Sequence, residues 1–94
     1  MASQDEINDP LWELMQLYFM LNNFPPLNDG IFDQLVSWVQ TNLNCEYSLA
    51  LKIVNSRFYK RSQLFGTGWV FEKSIILEPD EELAYQRWMA TKNE

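Results

Sequence analysis

Two runs of charge hold most of the side chains in this sequence that could do chemistry. Glu78, Asp80, Glu81 and Glu82 fall within five positions, and Lys52, Arg57, Lys60 and Arg61 within ten. The carboxylates have the oxygen ligands a hard cation prefers. They lack the alternating spacing, central glycine and closing Glu of a calcium loop. At the start of a predicted helix they offset the helix dipole, so they read as a solvated helix start. The chain has no histidine. That removes Ser-His and Cys-His nucleophilic pairs and the usual general base near pH 7. Cys45 is the single cysteine, so it makes no internal disulfide and, without histidine, no zinc site. Gly66-Thr67-Gly68 lacks the spacing and the lysine of a phosphate-binding loop and reads as a hairpin turn. No catalytic, metal or cofactor-binding residue is assigned and no cofactor is expected. The chain is expected to bind rather than to catalyse.

Two features could carry binding. The first is the basic cluster: Lys52, Arg57, Lys60 and Arg61 lie on and after a predicted third helix, where they could contact an anion or a nucleic acid. Net charge opposes this, because a chain at −6 repels a phosphate backbone as a whole. The second is the first helix. Trp12, Phe19 and Met20 lie off its main apolar face, and aromatic and Met side chains are enriched at the centres of interfaces. They are the candidate protein interface, with another protein or a second copy of the chain as partner.

The elements that position these residues follow from the apolar periodicity. Residues 1–8 are polar and acidic and are expected to form a mobile N-terminal arm; residues 9–94 are expected to form a single domain. Asp9 and Pro10 suit the cap and first position of a helix reaching Leu21. Leu11, Leu14, Met15 and Tyr18 share one face of it. Pro25-Pro26 and Asn28-Asp29-Gly30 break the chain. A second helix is predicted over 31–43, with Ile31, Leu35, Trp38, Val39 and Leu43 as its core stripe. A third starts near Glu46 and sets Tyr47, Ala50, Leu51, Val54 and Phe58 on one face. Residues 58–65 fit either the end of that helix or a strand. Trp69 to Leu77 is rich in strand formers, with a turn at Glu72-Lys73-Ser74. A last helix is predicted over 80–92. The predicted fold is mainly α with a β-hairpin (α+β), a winged-helix-like order of three helices, hairpin and C-terminal helix.

The segment Leu35-Val36-Ser37-Trp38-Val39, followed by Ala50 and Val54 on the next helix, resembles the DEP domain, a winged-helix family with an L-V-x-W-L segment in its second helix. The likeness covers about half the chain. Phe32 stands where that family has a glycine, and Gly30 lies two residues early. The resemblance implies a winged-helix topology and a role in docking to membranes or proteins. The longest apolar run, Leu17 to Leu21, is far short of the roughly 20 residues that span a bilayer. The polar start, single cysteine and absence of a membrane span lead us to expect a cytoplasmic protein. The functional expectation is a small acidic adaptor or inhibitor of a protein partner, of the size and charge common among toxin-immunity proteins and phage inhibitors. The alternatives are a winged-helix DNA-binding regulator using the basic cluster, and an acidic DNA mimic.

Overall fold

The computed structural model describes residues 9–61, 68–74 and 76–92, and the order of elements is the expected one. Helix α1 spans Pro10–Leu21, α2 Asp29–Leu43 and α3 Tyr47–Asn55; strands β1 (Phe58–Lys60) and β2 (Trp69–Phe71) form the hairpin; and α4 spans Pro79–Lys92. The expected arm (residues 1–8), Gly66 and Thr67 of the expected turn, and residues 62–65 lie outside the described residues.

Each boundary has a local cause. The Asp9 carboxylate accepts the Trp12 N–H at 3.2 Å, capping α1 with Pro10 at its first position. Helix α2 starts two residues earlier than predicted, because Asn28 is the cap and accepts the Ile31 N–H at 2.9 Å. It ends at Asn44, whose left-handed conformation (φ 53°) asparagine tolerates better than most residues. The residues left undecided between helix and strand open as strand. β1 runs antiparallel to β2 with Phe58 opposite Phe71 and Lys60 opposite Trp69.

The core sits where α1, α2 and α3 meet. Leu11, Leu14, Met15 and Tyr18 are buried as predicted, against Leu35, Val36, Val39 and Leu43 of α2 and Ala50, Ile53 and Val54 of α3. The face of α3 is rotated from the prediction. Ile53 is buried in place of Tyr47, which is 54% exposed. Trp38 is only half-buried, its ring centroid 5.5 Å from that of Tyr18. The hairpin turns one face, Phe58, Trp69 and Phe71, onto a layer of rings that includes Trp12, Phe19 and Phe32. The second side of α1 is thereby covered by the chain itself.

Candidate functional site

Arg57 lies just past α3, after the cap residue Ser56, and is wholly buried. Its Nε donates to both oxygens of Asp9 (2.9 and 3.2 Å), Nη1 to the Ile53 carbonyl (3.1 Å) and the Ser56 hydroxyl (2.7 Å), and Nη2 to Glu81 Oε1 at 3.4 Å. Asp9 also accepts the Ser74 N–H at 2.8 Å, and Glu81 the Glu78 N–H at 3.3 Å. Arg57 and its two carboxylates together tie the cap of α1, the end of α3, the exit of the hairpin and the first turn of α4. This corrects two expectations. Arg57 is not available to an anion or a nucleic acid, since its donors face inward. Glu81, expected to be solvated with its neighbours, is 2% exposed and holds the buried cation.

The remaining basic residues fare differently. Lys52 is exposed but bound, with Nζ 2.6 Å from Glu78 and 3.1 Å from Asp80. The hydrogen bond to Glu78, then that to Asp80, raises the Lys52 pKa, and Lys52 lowers that of Asp80. Lys60 and Arg61 are exposed on the hairpin. The four cations thus make no continuous basic face: one is buried and one sits beside two carboxylates. Among the described residues no three Asp, Glu or Cys side chains gather as a metal site. Cys45 is a free, half-buried thiol whose pKa is raised by burial.

The predicted interface residues also separate. Phe19 is 4% exposed and packs its ring on Phe58 and Phe71 at 5.9 and 4.9 Å between centroids, so it is a core residue and not an interface one. The expectation failed because the hairpin folds back over that side of α1. Trp12 is half-buried and stacked on Phe71 at 5.4 Å, with Lys73 Nζ 5.7 Å from its ring centroid. Its indole N–H is buried and finds no hydrogen-bond partner among the described residues. Met20 alone of the three is well exposed, at 54%.

Met20 belongs to a surface that sequence reasoning did not assemble. Leu17, Leu21, Phe24 and Leu27 of the same stretch of chain are exposed as well, Phe24 to 68%. Leu17, Met20 and Leu21 follow the three-and-four spacing of one helix stripe, which borders the core face at Leu14. Phe24 is set by the helix end. Asn23 is left-handed (φ 60°), the Phe24 N–H reaches the Phe19 carbonyl at 2.7 Å and the Asn23 N–H reaches that of Met20 at 3.3 Å, a Schellman closure. Phe24 is itself left-handed (φ 52°), a strained conformation for a bulky residue. It helps line an apolar groove of about 310 Å³ together with Trp12, Gln16, Phe19, Pro25, Leu27 and Phe71. Residues 16–28 contain no charged side chain. That gap in the charge pattern was the available signal. Comparison with protein-family models, with curated proteins and with solved structures returns no match.

Proposed function

We propose that this chain is a small acidic protein-binding domain without enzymatic activity, acting in the cytoplasm as an adaptor or inhibitor of a protein partner. The observation that carries the reading is the apolar surface at the end of α1. Leu17, Met20, Leu21, Phe24 and Leu27 are 40–68% exposed. Five apolar side chains this exposed within residues 17–27 are more than the singly scattered ones a monomer surface ordinarily shows. Phe24 and Met20 are of the types enriched at interface centres. The net charge of −6 supports the same reading, because an acidic domain captures a basic partner faster by electrostatic steering.

The test is affinity capture from the native host with wild type and with Leu21→Ser/Phe24→Ser, followed by titration of the purified captured protein. A partner that binds wild type from pure components and weakens at least roughly tenfold with the double variant supports the reading, since tenfold is about 1.4 kcal/mol. Capture of nucleic acid alone, lost with Lys60→Ala/Arg61→Ala and kept with the apolar double variant, overturns it.

A further inference from the structure

The four helices are held unequally. Five residues are buried on α1, four on α2 and three on α3, all of them part of the apolar core. Helix α4 buries two, and Ala84 is the only apolar one; the other is Glu81. Tyr85 and Trp88 reach the core but are only partly buried, and Leu83 is 57% exposed. Burial of a face is what holds a helix to its domain, so α4 is the least firmly seated of the four. Its polar contacts can be released without stranding a buried charge. Lys52, Glu78 and Asp80 are exposed, and pairs of that kind exchange for water at little cost. Glu81 is held by Nη2 of Arg57 at 3.4 Å, a long hydrogen bond. With Glu81 gone, Arg57 keeps three of its four partners: Asp9 on Nε, and the Ile53 carbonyl and Ser56 hydroxyl on Nη1. The hairpin exit also keeps its place, since the Ser74 N–H donates to Asp9 and not to α4.

We propose that α4 is a detachable strap, which opens as one unit from a body of α1, α2, α3 and the hairpin that stays folded. Proteins open in such contiguous units, and the unit with the fewest buried apolar contacts opens first. The opening bares the sides of α2 and α3 on which α4 lies. Leu43, Cys45 and Leu49 are there, bordering two recesses that Arg87 and Trp88 of α4 help to line. This device is separate from the exposed residues at the end of α1 and holds whether or not those bind a protein.

Amide hydrogen exchange on the full chain, followed residue by residue by NMR, tests the strap. The amides of Leu83 to Trp88 should share one opening and, corrected for intrinsic rates, exchange at least roughly tenfold faster than the slowest amides of α2. Low concentrations of urea should speed α2 steeply and α4 little, because releasing α4 exposes far less surface than unfolding the domain. Two substitutions separate the strap from the body. Phe19→Leu weakens packing that the open form keeps, so it should speed α2 at least roughly threefold and leave α4 unchanged. Glu81→Gln weakens a contact that the open form has already lost, so it should speed α4 at least roughly threefold. Equal protection in α4 and α2, or Phe19→Leu speeding both alike, overturns the proposal. Protection that falls steadily from Leu83 to Trp88 is fraying along the helix and overturns it as well. If either variant fails to fold, the wild-type urea series decides alone, and equal urea dependence in the two helices overturns the strap.

Discussion

Removing the Arg57 guanidinium should be among the most damaging single changes in this domain. The side chain is fully buried and faces two carboxylates, Asp9 at 0% and Glu81 at 2% exposure. In Arg57→Met the apolar stem survives but both carboxylates lose their cation. Asp9 keeps the Trp12 and Ser74 N–H groups, and Glu81 keeps that of Glu78. Breaking a buried ion pair from one side costs roughly 3–5 kcal/mol, because a buried charge is left uncompensated. The whole stability of a domain this size is about 5–14 kcal/mol. Tm should therefore fall by more than about 12 °C. Urea titration followed by tryptophan fluorescence and far-ultraviolet circular dichroism measures the change, and an unaltered m-value confirms that the folded state is still the reference. Combining Arg57→Met with Asp9→Asn and Glu81→Gln removes the uncompensated charges and should recover part of the loss, since neutral replacement of a buried ion cluster is often tolerated. A single variant losing less than about 1 kcal/mol, the scale of one ordinary hydrogen bond, would refute the buried-cation account.

Phe19→Ala should destabilise the domain by roughly 3–5 kcal/mol, as truncation of a buried aromatic does, and Trp38→Ala should cost clearly less because Trp38 is half-buried; thermal melts of the two variants rank them, and the reverse order would show the core to be misplaced. Lys52→Gln should lower Tm slightly at neutral pH and not at the extremes. The Lys52 pKa is raised above 10.5 by Glu78 and then Asp80, so its contribution is complete below 10.5 and is lost as pH rises through the raised value. The Asp80 pKa is lowered beneath 3.8 by Lys52, so its contribution is complete above 3.8 and is lost as pH falls through the lowered value. Melting curves of wild type and Lys52→Gln across pH should converge at both ends, and a gap that stays constant would mean the tether of α3 to α4 is not electrostatic.

Local signals made the elements legible. Asp9-Pro10 reads as a helix start because one side chain caps and the other cannot donate, and both act in place. Leu11, Leu14, Met15 and Tyr18 are legible as core because a 3.6-residue period needs no knowledge of what lies opposite. Long-range pairing was hidden. Arg57 lies 48 positions from Asp9 and 24 from Glu81, and no local pattern distinguishes a cation destined for such partners from one destined for solvent. It therefore read as part of a basic cluster with Lys60 and Arg61. Phe19 was misplaced for the same reason, since the ring that covers it, Phe71, arrives from a hairpin whose fold-back direction has no sequence code. The exposed surface was half legible. Met20 was found on composition, but Phe24 sits in a break between helices, and its orientation depends on a Schellman closure.

The misplacing of Phe19 on α1 bears on where function lies. An apolar helix in a short chain invites the expectation that its second side is left for a partner. Here the hairpin supplies Phe58, Trp69 and Phe71 to that side, and Phe19 is covered. What remains exposed is the C-terminal end of α1 and the break before α2, with Met20, Leu21 and Phe24. Stability alone would place polar residues at Leu21 and Phe24. Both are more than 60% exposed, and a left-handed asparagine or glycine at residue 24 would relieve the backbone. A large ring held in a strained conformation, in water, runs against folding stability, whereas the buried Arg57 cluster and the capped helices serve it. A site where the local choices oppose stability, in a chain where the others agree with it, is where binding is to be sought.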